Sequence, residues 1–196
     1  MWVGGLLVTD DTFLDYEQLT GTGTLATAHK IVGGYINGVI TDPNVIQGML
    51  DTAGTSTWVN YGVTSDKVQM QGLIQYGGTG GGLDRIAAEG QSFNMGVNFF
   101  TRQVSGGIGF QAIDSSNRWE LGFDGTVNKD GFSGTMAGKP GSGAGVYSSG
   151  TIGGKFYDGP NGNTAGAVGG TFQVTSGGTG IQAGTIVDGM FTAKKQ

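Results

Sequence analysis

From Phe93 onward the chain alternates apolar and polar residues with a period of two, the mark of strands with one face on a core. Phe93, Met95, Val97 and Phe99 share one phase, and Asn94, Gly96 and Asn98 share the other. Val104, Ile108, Phe110 and Ala112 continue the pattern after a turn at Thr101-Arg102. Trp119, Leu121, Phe123 and Val127 follow a second turn at 114–117. Asn128-Lys129-Asp130-Gly131 is a hairpin signal, and Phe132 and Met136 form the short returning strand. Strands over 146–157, 165–174 and 184–192 complete the run. Upstream the rhythm is looser, with strands expected over 24–36, 58–63 and 68–76, and a strand or loop over 83–89. The segment after Asp42 breaks the period. Asp42 is placed to cap a helix, Pro43 suits its first position, and Val45, Ile46, Met49 and Leu50 make an apolar face. Gly54 is placed to end it. It is the one good helix in the chain.

Glycine changes the picture. There are 42 glycines in 196 residues, with no collagen-like triplet period. Many fall in the apolar phase, including Gly106, Gly125, Gly134, Gly154, Gly170 and Gly189. Small residues at core-facing positions suit a narrow, strongly curved sheet in which bulky neighbours fill the interior. Closure would also remove the edges that such a sheet exposes. The reading is an all-β chain: an antiparallel up-and-down barrel of about eight strands, with a short N-terminal segment and one short helix. Residues 1–66 are read as N-terminal strands plus a helical insertion packed on the barrel, and 67–196 as the barrel.

Composition removes several functions. With a net charge of −5, the chain lacks the cationic field that draws phosphates or anionic membranes. The absence of cysteine removes thiolate chemistry and disulfides. No window holds 18 consecutive apolar residues. The strand-like opening Trp2-Val3 leads us to expect an export signal or a larger parent protein upstream.

Three motifs carry a resemblance. FYDGPNGNTAGAVGGTF (156–172) resembles the Phe-Tyr-Gly-Pro…Ala-Gly…Gly-Phe signature of the C-terminal barrels of transferrin-binding-protein-B-like surface lipoproteins. FNMGVNFFTRQVSGGIGF (93–110) and DGFSGT (130–135) resemble two further hairpin motifs of that group. The match covers roughly residues 90–192. It implies an exported or outer-membrane-surface, non-enzymatic binding module. Asp158 departs from the signature by standing between Tyr157 and Gly159, which reads as a longer turn.

The candidate chemistry is sparse. His29 is the only histidine, so a Ser-His-Asp triad or a multi-histidine zinc site has too few parts. In phase with Leu25 and Ile31, it reads first as a hydrogen-bonded inward side chain. The resemblance to haem-carrying relatives adds a second reading, a haem ligand partnered by Met49, Met70, Met95 or a tyrosine. The glycine runs 77–82 and 138–143 lack the phosphate-loop spacing. Glu120 and Asp124 lie on the polar phase of one strand, not across a cleft. No metal site is expected. The binding candidates are Trp58 and Tyr61, in the least barrel-like segment (37–66), and Asp158 and Asn161 at the tip of the signature hairpin. The expected function is recognition of a protein partner through the loops and the 37–66 insertion, without nucleic acid and without membrane insertion of this segment. Two alternatives are a small-ligand (haem) carrier, with its pocket between barrel and insertion, and a passive structural domain of a larger adhesin or envelope protein.

Overall fold

A computed structural model describes residues 2–3, 6–7, 13–19, 28–36, 38–62, 69–77, 82–87, 89–113, 118–138, 148–159, 162–177 and 184–196. Asn161, the 114–117 turn, the start of the strand expected from residue 24, and most of the two glycine runs lie outside them.

Two small hairpins come first. β1 (Trp2–Val3) pairs with β2 (Leu6–Leu7), and β3 (Phe13–Leu19) with β4 (Ala28–Tyr35). The helix α1 (Pro43–Thr52) follows, then β5 (Trp58–Gly62), β6 (Gln69–Gln75), β7 (Leu83–Arg85) and β8 (Ser92–Asn98). Six longer strands complete the chain: β9 (Gln103–Gln111), β10 (Arg118–Asn128), β11 (Gly131–Gly138), β12 (Ser148–Gly159), β13 (Asn163–Ser176) and β14 (Ile186–Lys195).

The strands from β8 to β14 are each antiparallel to the next. β14 then pairs with β5 through Lys194 and Lys195 and with β6 from Ile186 to Thr192. β5 pairs with β8, and β6 with β7. The result is a closed up-and-down barrel of eight strand positions, with β5 and β6 sharing one and β7 and β8 sharing another. The 66/67 boundary therefore falls inside one barrel position, since β5 and β6 both lie against β14. What remains as an appendage in that region is 38–57.

The alternation in sequence is the alternation of burial. Phe93, Met95 and Val97 of β8, Trp119, Leu121 and Phe123 of β10, and Phe172 and Val174 of β13 all point inward. Aromatic rings fill the lumen. Phe93 stacks on Phe191 at 4.6 Å between centroids, Phe110 stacks on Trp119 at 5.8 Å, and Phe156 meets Tyr61, Phe99 and Phe132 at 5.8–6.0 Å. Such pairs add specific geometry to their area burial.

The inward glycines make room for these rings. Gly106 lies opposite Phe123, Gly154 opposite Phe132, and Gly189 opposite Phe172. A methyl group at Gly106 would stand 2.5 Å from Phe123 Cζ, and one at Gly154 2.8 Å from Phe132 Cζ. Each ring leans across the neighbouring strand into the space a side chain would take. Glycines also meet directly, at Gly125–Gly134 and Gly154–Gly170, where strands approach too closely for a Cβ.

One expectation is corrected. Tyr157 does not end its strand, and Asp158 does not lengthen the turn. β12 runs on to Gly159, and the register shifts between Tyr157 and Gly159. Asp158 alone on β12 spans the interval that residues 164–166 span on β13, so the additional residues of the bulge are on β13, where Ala165 has φ 49°.

Candidate functional site

β11 begins at Gly131, opposite the neighbourhood of Gly154, so β12 beyond that point has no partner on its β11 side. Segment 38–41 takes the vacant place. Thr41 N–H donates to Phe156 O at 3.0 Å, and Asp158 N–H donates to Val39 O at 2.9 Å. The Thr41 hydroxyl donates to Asp158 Oδ1 at 2.7 Å. Asp158 is the anchor of this strap. Ile36 covers the outer side of the same region, packing on Tyr157 and Ala167.

The helix starts directly from the strap. The Asp42 carboxylate accepts from Asn44 N–H at 2.8 Å, and Pro43 opens the first turn. Ile46 and Leu50 are buried in the barrel core, with Met49 and Ala53 partly so. They occupy the place where the carrier reading puts a pocket. The helix stops at Thr52 with an extended Ala53, one residue before Gly54. Asp51 reaches Arg102 on the β8–β9 turn at 3.3 Å, and Asn98 Nδ2 donates to Ser56 Oγ at 2.8 Å. The helix is therefore tied to β12 at its start and to the β8–β9 turn at its end, closing one mouth of the barrel.

This capped end gathers exposed apolar side chains. The large exposed hydrophobics among the described residues are Val39, Ile40, Val45, Trp58, Phe100 and Ile113. All but Ile113 lie on the strap, the helix, the start of β5 or the β8–β9 turn. Phe100 is 55% exposed and Trp58 is 43% exposed. The indole of Trp58 lies down on the neighbouring strand at Gly96, where a Cβ would be 2.8 Å from its Cε3.

The residues singled out in the sequence fall in different places. Trp58 is on the outer surface. Tyr61, three residues on, points inward and is 1% exposed. Its hydroxyl donates to Ala165 O at 2.9 Å, and burial pushes its pKa well above the ordinary phenol value. Asp158 is half-buried beneath the strap. His29 lies on β4 with its backbone opposite Gln18. No group of three or more side chains able to hold a metal ion occurs among the described residues.

The sequence reading missed Phe100 and Val45. Phe99-Phe100 carries a readable signal, because consecutive residues at a strand end cannot both face the core; Phe99 is buried and Phe100 is not. Val45 precedes the buried Ile46 on a helix, about 100° away around its axis.

No family model matches the chain, and no curated protein does. Solved structures do. Transferrin-binding protein B of Haemophilus parasuis superposes over 92% of this chain, with a TM-score of 0.52 and 19% identity. The Neisseria meningitidis isotype 1 protein does so over 97%, with a TM-score of 0.50 and 19% identity. The barrel is of the transferrin-binding-protein-B type. HpuA of Kingella denitrificans, solved with human haemoglobin, aligns over 83% at a TM-score of 0.42 and 16% identity, half of its own length. The chain spans 32% and 35% of the two transferrin-binding structures, about one third of each. The transferrin-binding-protein-B-like barrel found here contains no helix, among its described residues, that is long and apolar enough to cross a membrane.

Proposed function

We propose that this chain is a non-enzymatic, exported or cell-surface binding module that engages a protein partner through the helix-capped end of its barrel. The observation that carries the proposal is the collection of Val39, Ile40, Val45, Trp58 and Phe100 at that end, on a frame tied down by Asp158 and Arg102. Fully burying such side chains releases about 1.5–3 kcal/mol each. Exposed apolar patches on rigid scaffolds mark interaction sites, and aromatic residues dominate their energetics. The likeness to two proteins named for binding transferrin supports a protein partner and supplies the first probe.

The test is biolayer interferometry of the chain against immobilised transferrin. Phe100→Ser and Val45→Ser are expected to weaken binding at least about tenfold, the equivalent of about 1.4 kcal/mol. Ile113→Ser, at the opposite end, is expected to leave it unchanged. A chain that ignores transferrin loses that partner. Binding that survives both capped-end variants, or that fails with Ile113→Ser, removes this surface from the account.

A further inference from the structure

The outer wall of β8, β9 and β10 carries a second feature, which shares Trp58 with the apolar end. Here Asn94 stands opposite Gly107, and Ser92 opposite Gly109, which in turn faces Glu120. Because Gly107 puts only hydrogen on this face, the backbone there forms the floor of a shallow groove of about 110 Å³ between Ser92, Asn94 and Glu120.

Both ends of the groove are built. At one end, Arg118 is pinned: its Nε donates to Glu120 Oε1 at 2.8 Å and its Nη1 to Gly90 O at 2.6 Å. Its Nη2 and Ser92 Oγ both close over Gly109, 3.1 Å and 2.5 Å from where a Cβ would be. The guanidinium and carboxylate neutralise each other and keep a fixed geometry. At the other end, Trp58 lies over Gly96, two residues along β8 from Asn94, with one side of the indole against the strand and the ring partly exposed to solvent. From Gly96 to Ser92 the strand advances about 13 Å, long enough to accommodate two linked pyranose rings.

We infer that this wall is a binding site for a neutral saccharide of two rings, one laid on the Trp58 indole and the other seated in the groove. The chemistry excludes other ligand classes. An anion needs an uncompensated cation, and Arg118 already has its carboxylate. A peptide strand needs an open sheet edge, and β8, β9 and β10 are paired along this stretch. An apolar ligand needs an apolar lining, and this groove offers hydroxyl, amide and carboxylate groups. A sugar ring presents a C–H face that suits an aromatic platform and a rim of hydroxyls that suits planar amide and carboxylate partners. A few placed polar groups beside one aromatic surface are how small-molecule sites fix orientation. The site has Trp58 in common with the capped end but needs no protein partner there.

The test is heteronuclear NMR of the isotope-labelled chain, titrated separately with cellobiose, lactose, maltose and N,N′-diacetylchitobiose to millimolar concentration. At least one disaccharide is expected to shift the Trp58 indole N–H together with the amides of Asn94, Gly107 and Gly109, in a saturable way. Trp58→Ala is expected to lower that affinity roughly tenfold, the upper range for one aromatic contact. Asn94→Ala, at an exposed position outside the core, is expected to weaken it as well, and Phe100→Ser to leave it intact. The inference is overturned if no disaccharide moves these signals, if both Trp58→Ala and Asn94→Ala bind as the parent does, or if Phe100→Ser abolishes the shifts.

Discussion

Replacing Gly189 with alanine tests whether inward glycines exist to receive neighbouring rings. The new methyl would lie 2.5 Å from Phe172 Cε1 and 3.0 Å from Cε2, and closer still to Cζ. Carbon atoms rest about 3.5–4.0 Å apart, so the ring must retreat by about 1 Å. It has little room, because Phe172 is buried and already meets Phe110 at 5.6 Å. Overpacking of this kind costs about 1–3 kcal/mol, a large part of the roughly 5–15 kcal/mol that holds a domain folded. Gly153→Ala is the control. Gly153 is on the outer phase, and its nearest neighbour would be Phe132 O at 3.3 Å. It should change stability by less than about 0.5 kcal/mol, or raise it slightly by restricting the unfolded chain. The assay is equilibrium urea denaturation, followed by fluorescence and far-UV circular dichroism. Adding Phe172→Leu to Gly189→Ala removes the clash, so the double variant should be more stable than the sum of the two single losses by about 1 kcal/mol or more. Strict additivity, or a Gly189→Ala loss no larger than that of Gly153→Ala, would refute the reasoning.

Two further outcomes follow from the capped end. Asp158→Ala removes the acceptor of the Thr41 hydroxyl and should cost about 1–2 kcal/mol, the range for a hydrogen bond to a charged group that is only half-buried; amide exchange at Thr41 and Asp158 should quicken before global unfolding, and unchanged exchange would mean that the strap is held without it. Tyr61→Phe leaves Ala165 O without its buried donor and should cost about 1–1.5 kcal/mol by urea denaturation. The pH dependence has a definite sign. Burial raises the Tyr61 and Tyr157 pKa values above their ordinary 10.0, so the stability that comes from keeping the phenols neutral is complete below about pH 10 and is lost as pH rises toward the folded values. Thermal melts from pH 9 to about pH 12 should therefore show a falling Tm that is shallower in Tyr61→Phe.

Strand positions were legible because a barrel wall is a one-sided surface, and period-two burial writes itself directly into residue type. The glycine placement was legible for the same reason: Gly106, Gly154 and Gly189 stand where a core residue is due. Asp158 was harder. A residue near a hairpin tip can belong to the turn or to the strand, and Asp158 belongs to the strand, where the strap contacts it from more than a hundred positions away. The candidate site was only partly legible. Trp58 and Tyr61 were grouped as neighbours in sequence, yet on a strand residues three apart face opposite ways, and only Trp58 is outside. Nothing local announces that 38–41 fills a gap beside β12, because the gap exists only once β11 has started at Gly131. The groove over Gly107 needs three strands in register before it has walls.

The closed wall also implies an order of assembly. Every neighbouring pair from β8 to β14 is joined by a short excursion of the chain and can zip as a hairpin. The contact of β14 with β5 and β6 unites distant segments, and bringing them together carries the largest loop-closure cost. The barrel should therefore form as a curling ribbon whose final event is that seam. Until it closes, the ribbon has two bare edges of matching register, and at high protein concentration a second ribbon can satisfy them as well as its own far end. Refolding yield should fall with concentration, and the competing product should be a dimer that exchanges β14.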